Sequence, residues 1–184
     1  INGSDLKNYD GNEWYRLQGV LPQHYHLFAL SVEENIAFSG TDEKRIRDAA
    51  RFSECDRFIE ALPEQYKTVC GKSFEETGVD FSGGESQRIC LARAFYKNSD
   101  IWILDEPSAA IDPIAEDSIF EYLLSRKGEK TIFVVSHRLS VAKNSDLILV
   151  LDGGRLVESG NHTVLMAKDG LYARMFRTQA ERYI

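Results

Sequence analysis

The chain has 184 residues, 43% of them hydrophobic, which is one domain's length with enough apolar content for a substantial core. A formal net charge of −7 gives no general basic face for nucleic acid, and no apolar run approaches the roughly 20 residues that span a bilayer. Cys55, Cys70 and Cys90 form neither a metal-ligand spacing nor an even disulfide set, and read as buried or incidental thiols in a reducing compartment.

Ile1-Asn2-Gly3-Ser4-Asp5-Leu6 reads as a strand end and a turn, without the pattern of a signal peptide. Any membrane link is therefore expected through another segment or a partner. Leu17 to Leu21 is a short apolar strand closed by Pro22 and followed by Gln23. Ser31, with Glu34 three residues on, is a capping box for a helix carrying Ile36 and Ala37. Residues 42–61 form one or two amphipathic helices with Ile46, Ala49, Ala50, Phe52, Phe58, Ile59 and Leu62 on the apolar side. Residues 63–80 are irregular and hold a decoy, Gly71-Lys72-Ser73. A phosphate-binding P-loop needs a glycine five positions before its GK(S/T), but position 66 is Tyr.

The next stretch, residues 81–112, organises the chain. Ser82 is an N-cap, Gly83 and Gly84 allow close backbone approach, and Ile89, Ala92, Arg93 and Tyr96 follow at helical spacing from Glu85 onward. Such a helix start, with free N–H groups and the positive dipole end, suits an anion. Ile101-Trp102-Ile103-Leu104 is too short for a helix and apolar on both faces, as a central parallel strand is. Asp105 and Glu106 then stand at its C-terminal edge, where open α/β sheets hold ligands. Asp112 is an N-cap, Pro113 fits the first turn, and Ala115 to Arg126 continue as a helix. Thr131 to Val135 is a second buried parallel strand ending in Ser136-His137, and Arg138 to Asn144 is short and helical. Gly153-Gly154 marks a hairpin between Leu147–Asp152 and Arg155–Glu158. From Asn161 to Arg182 the pattern predicts two helices packing through Leu165, Met166, Leu171, Tyr172, Met175 and Phe176. Strands alternating with helices, without internal repeats, predict an α/β fold.

Gln23, the Asp105/Glu106 pair and His137 thus all leave strands at C-terminal ends. Phosphoryl transfer to water needs a metal holder, a group that polarises the water and donors for the phosphate oxygens. Those residue types supply them. Each also has a plain reading: a surface histidine, a helix cap at Asp112, a glycine-rich turn at Ser82.

FSGGESQR followed by IWILDEPSAAID resembles the signature sequence, Walker B strand and D-loop of ATP-binding cassette (ABC) ATPases, and LF…SVEENI resembles the LF…TI.ENI of exporter-type cassettes. The likeness runs from the INGSDL turn to the LYARMFRTQ helix. It implies an α/β, P-loop NTPase-type fold with a mostly parallel sheet, a helical subdomain at about residues 30–97, a catalytic core at about 98–160 and C-terminal helices at 161–184. It further implies ATP and Mg²⁺ as ligands. Asp105 would hold the metal, usually through water, and Glu106 would orient and deprotonate the attacking water. His137 would contact the γ-phosphate. Gln23 matches the Q-loop, which senses the metal and meets the transmembrane partner. Ala109 to Asp112 would lie at a dimer seam. Ser82, Gly83, Gly84 and Glu85 would bind the γ-phosphate held by the opposite subunit.

The resemblance therefore implies ATP hydrolysis driving transport, most simply export. The partners would be a transmembrane domain and a second nucleotide-binding domain arranged head to tail, at the cytoplasmic face of a membrane, with no nucleic acid. Two alternatives stay open: a non-transport cassette ATPase of DNA repair or translation, and a module that only donates its signature face. There are departures. Phe81 and Glu85 replace Leu and Gln of LSGGQ, Ala109 replaces the D-loop Ser, and the stretch before the signature is longer, with Glu76-Thr77-Gly78 fitting its ExG element. No GxxGxGK(S/T) segment and no matching adenine-stacking aromatic occurs in the 184 residues. The reading is thus a nucleotide-binding domain without its N-terminal portion, expected to be inactive alone.

Overall fold

The computed structural model describes residues 3–38, 40–72 and 77–180. Its organising strand is β2 (Ile101–Asp105), the middle of a three-stranded parallel sheet with β1 (Gln18–Leu21) on one side and β3 (Thr131–Val135) on the other. Ile101, Trp102 and Leu104 are buried, as the unbroken apolar run requires of a strand covered on both faces. β3 departs from the expectation of burial. Only one of its faces is covered: Ile132 and Val134 pack on the core, while Phe133 and Val135 on the other face are 53% and 56% exposed.

Helices α2 (Val32–Ala37), α3 (Glu43–Phe52), α4 (Asp56–Glu60) and α5 (Gly83–Lys97) lie between β1 and β2 in sequence, and α6 (Pro113–Ser125) joins β2 to β3. All but α4 begin where a side chain supplies a cap. The capping box of Ser31 and Glu34 starts α2, the Asp42 carboxylate accepts from Arg45 N for α3, and Asp112 does the same from Ala115 N for α6, which has Pro113 in its first turn. α5 opens at Gly83, directly after the expected N-cap Ser82, and packs on α2, α3 and β1. Gly19 permits that approach, since a Cβ there would stand 2.9 Å from the Ala94 carbonyl oxygen and 3.1 Å from the Trp102 ring. An aromatic cluster closes the core: Phe95 lies 4.9 Å from Trp102 and 5.0 Å from Tyr122, and Phe52 stacks on Tyr122 at 3.9 Å between ring centres. Phe52, expected on the apolar side of α3, keeps 37% of its surface exposed and contributes by that stack.

Of the strand end and turn expected at the start, Ile1 and Asn2 lie outside the described residues, and the turn is present at Gly3 and Ser4. Leu6–Asn8 is a single 3₁₀ turn capped by Asp5, followed by α1 (Gly11–Leu17), a helix the sequence pattern did not announce. It buries no residue, so no apolar stripe marks it. Gln65–Lys67 adds one more 3₁₀ turn within the irregular stretch, while Ser73, Glu76 and Arg182 lie outside the described residues. Cys55, Cys70 and Cys90 are buried and unpaired with one another. Burial pushes the Cys55 thiol up to about 12 and Cys70 to about 11, which makes them poor nucleophiles.

Residues Ile1–Val135 form one compact unit and Ser136–Ile184 a second. The second contains α7 (Leu139–Ala142), the hairpin β4 (Ile148–Asp152) and β5 (Arg155–Gly160), and helices α8 (His162–Lys168) and α9 (Leu171–Ala180). Gly153 and Gly154, at φ +53° and +73°, make the two-residue hairpin turn. Leu139, Ile148, Val150, Leu165 and Tyr172 are its core. Met175, expected in that packing face, is 42% exposed, and Ala173 is the buried residue instead. Glu158 accepts from Leu171 N and Tyr172 N at 2.8 and 3.0 Å, and those two bonds hold its carboxyl below the usual range.

One buried side chain ties α2 to α5. The Asn35 amide donates to the Phe28, Leu30 and Ser31 carbonyls at 3.0–3.2 Å, and its oxygen accepts from Phe28 N at 2.8 Å and Arg93 Nη2 at 3.1 Å. The Arg93 Nε in turn donates to the Asn35 carbonyl at 2.7 Å. Replacing Asn35 with Ala removes five hydrogen bonds at once, one of them buried, and the joint between the 28–31 segment and Arg93. Asn35→Ala is expected to lower unfolding stability by about 3 kcal/mol in urea denaturation followed by tryptophan fluorescence, and a loss under about 1 kcal/mol would contradict the role given to it.

Candidate functional site

The sheet register sets Leu21, Leu104 and Val134 side by side, so β1, β2 and β3 end along one edge. Gln23, exposed, stands two residues past β1, and Asp105 and Glu106, both half-buried, stand at the end of β2. Those three sequence-derived candidates share the C-terminal edge of the sheet. His137 follows the end of β3 by two residues and belongs to the second unit, where it is exposed and its carbonyl accepts from Gln179 Nε2.

The chain turns sharply after β2. Glu106 has φ +49°, a conformation uncommon for a residue with a Cβ. Its N–H donates to the Val135 carbonyl at 2.8 Å, and its own carbonyl accepts from Gln87 Nε2 at 2.7 Å and Ala109 N at 3.2 Å. The Gln87 amide oxygen accepts from Ala110 N at 3.1 Å. Ser108, buried, donates to Glu116 of α6 at 2.6 Å. Asp112 caps α6, and the backbone bond from Ala115, reinforced by Arg88 at 4.0 Å, holds its carboxyl below the ordinary range. It is therefore a helix cap, standing at the end of the same turn.

Against that turn stands the start of α5. The Ser82 hydroxyl accepts from Glu85 N at 3.3 Å while a Glu85 carboxylate oxygen accepts from Ser82 N at 2.9 Å, a full capping box. The charge of Glu85 is thus turned back onto the helix start, where the dipole favours it. The first intrahelical bond is from Ser86 N to the Ser82 carbonyl, so the Gly83 and Gly84 amides lie before the ladder begins. A Cβ on Gly84 would come within 2.2 Å of the Ala110 carbonyl oxygen, whereas one on Gly83 would meet nothing within 4 Å. Gly84 is the packing glycine and Gly83 the open one. Tyr25, two residues past Gln23, donates its hydroxyl to the Gly83 carbonyl at 3.1 Å, and burial raises its pKa. Segment 23–25, the helix turn 82–84 and the loop 106–110 are therefore physically joined.

Sequence reasoning passed over Gln87, Tyr25 and Ser108. Gln87 had a signal: it falls on the stripe of Cys90, Leu91 and Ala94, all buried, so a polar residue at that position marks a group needing partners. Tyr25 and Ser108 sit in irregular backbone, where no period points inward.

The comparisons with known proteins show the family and the fold. The family model described as "ABC transporter" matches residues 1–109. The chain belongs to the ABC transporter family, with the α/β P-loop NTPase-type fold. It is 40% identical over 181 residues to an ATP-dependent lipid A-core flippase of Saccharophagus degradans, covering 97% of this chain and 30% of that protein. It is 39% identical over 183 residues to ABC transporter B family member 1 of Arabidopsis thaliana, covering 97% of this chain and 14% of that one. A solved structure of a bacterial Atm1-family ABC exporter with ATP bound superposes with a TM-score of 0.89 at 35% identity, over 98% of this chain and 31% of the exporter's. The chain thus spans a third or less of the proteins it matches. Among the described residues no helix is long and apolar enough to cross a membrane.

The two glycines separate packing from ligand approach. Gly84→Ala is expected to lower stability by about 2 kcal/mol, the scale of overpacking, while Gly83→Ala leaves the urea midpoint within error of wild type. Equal midpoints for the two variants would contradict the close contact with Ala110.

Proposed function

We propose that this chain is the greater part of an ATP-hydrolysing domain that drives transport across a membrane, in the direction of export. The observation that carries the reading is the sheet edge where Asp105 and Glu106 end β2 while the Ser82–Gly84 turn of α5 abuts the same loop through Ala110. The relatives support transport over DNA repair or translation, since they are named as a flippase, a transporter and an exporter.

Mg²⁺ prefers one or two carboxylates together with water and phosphate oxygens. The Asp105/Glu106 pair is that kind of donor set, and among the described residues no group of three or more His, Cys, Asp or Glu side chains forms a closed cage. Asp105, with Gln23, would hold the ion, which when bound offsets the charge of the β- and γ-phosphates. Glu106 accepts the proton of the attacking water, and its carboxylate orients that water in line with the γ-phosphorus. His137 donates a ring N–H to a γ-phosphate oxygen. On the opposite face, Ser82 keeps its hydroxyl hydrogen for donation even while its oxygen caps Glu85, and the Gly83 and Gly84 amides add further donors. These groups serve the nucleotide of a second domain, head to tail with the first, and Ala109 to Asp112 line that seam. Glu85 stays at the helix start as the cap.

Gln23 and the residues after it would meet a transmembrane domain, and the whole would then lie at the cytoplasmic face of a membrane. The helices at about residues 30–97 act as the signature-bearing subdomain, residues 98–160 as the catalytic core and residues 161–184 as a C-terminal helical piece. The 184 residues hold no P-loop motif, so this polypeptide by itself is expected not to hydrolyse ATP.

In the protein at its full natural length, Glu106→Gln is expected to keep Mg-ATP binding, read by titration with a fluorescent nucleotide, while slowing hydrolysis by about 10² to 10⁴, the scale of a general base. Turnover close to wild type in a folded Glu106→Gln protein would place the base elsewhere.

A further inference from the structure

We infer that Gln87 is a positioning residue for Glu106: its side-chain amide clamps both ends of the turn after β2 and makes the direction of that carboxylate follow the orientation of α5. The inference rests on the reading of Glu106 as the general base. Gln87 is 1% exposed, and both ends of its amide are engaged by that turn. Nε2 donates to the Glu106 carbonyl at 2.7 Å, and Oε1 accepts from the Ala110 N–H at 3.1 Å. One side chain thus closes the loop 106–110 from within.

The geometry explains why such a clamp is needed. Glu106 sits at φ +49°, which a side-chain-bearing residue holds only when its surroundings enforce it. The next residue, Pro107, has no N–H, so the peptide linking 106 to 107 offers its carbonyl as its sole hydrogen-bonding handle. That carbonyl accepts from Gln87 and from Ala109 N. The Val135 carbonyl fixes the N–H on the other side of Glu106 at 2.8 Å. The backbone at Glu106 is therefore held by the sheet on one side and by α5 on the other. Gln87 lies three residues beyond Gly84, on the helix whose first turn is the proposed phosphate donor. Movement of that turn would reach Glu106 through Gln87 and through the Gly84–Ala110 contact.

A glutamine that merely satisfies itself in a core would affect stability alone. A positioning residue changes turnover and not substrate affinity, because the carboxylate acts in the chemical step. The test compares wild type with Gln87→Met, similar in volume but without either hydrogen bond, in the full-length protein. Steady-state Mg-ATP hydrolysis is followed together with hydrogen exchange at the Ala110 amide. The expected result is kcat lower by about 10- to 100-fold with KM within about threefold, as for a misplaced catalytic group. Ala110 exchanges faster in a protein with an unchanged circular dichroism spectrum. Should Gln87→Met fail to fold, Gln87→Asn decides, since it keeps the amide but is too short to reach both partners. An unchanged kcat in a folded variant, or equal protection of Ala110, overturns the proposal. Wild-type turnover in Glu106→Gln overturns the general-base reading and the positioning role with it, while the exchange data alone still decide whether Gln87 holds the turn.

Discussion

The structure depends on how the chain leaves β2. A buried parallel strand has to end somewhere, and here it ends in a residue at φ +49° whose N–H, carbonyl and following turn are all hydrogen-bonded. The neighbours that make this possible come from distant parts of the sequence: β3 supplies the Val135 carbonyl, α5 supplies the Gln87 amide, and α6 supplies Glu116 for Ser108. Without the sheet on one side and α5 on the other, the turn would relax into a commoner conformation.

The same need for satisfied backbone groups shapes the helix starts. Ser31, Ser82, Asp42 and Asp112 each accept from an amide of the first turn, and two of the four starts are full capping boxes. At α5 this has a functional edge. Glu85 replaces the usual glutamine, and its carboxylate binds the Ser82 N–H instead of projecting toward an incoming phosphate. The amides of Gly83 and Gly84 remain ahead of the helical ladder, and Gly83 is exposed. The charge that would oppose an anion is thereby drawn back to stabilise the turn proposed to receive it.

Much of this was legible in the sequence because the physics is local. Ser-x-x-Glu spacing announced α2, the apolar run of 101–104 announced the central strand, and Gly153-Gly154 announced the hairpin; each depends on a few adjacent residues. What stayed hidden depends on tertiary context. Sequence order cannot say that β3 is covered on one face only, with Phe133 and Val135 exposed, since the same apolar run would serve a strand covered on both. α1 buries nothing and so leaves no pattern. Asp105, Glu106 and the Ser82–Gly84 turn could be placed from motif and spacing, but the contacts joining them could not. Those run through Gln87 and Tyr25, whose partners are up to 58 residues away.

In the function proposed above, the end of β2 and the first turn of α5 are two faces of one nucleotide-hydrolysing module. The direct measurement is a structure of the full-length protein, carrying Glu106→Gln to arrest turnover, determined with Mg²⁺ and ATP. The γ-phosphate is expected between the Asp105–Glu106 edge of one domain and the Ser82–Gly84 turn of a second, with the Gly83 amide in hydrogen-bond reach. A nucleotide seated at Gly71-Lys72, or a γ-phosphate remote from both the strand edge and the helix turn, would contradict it.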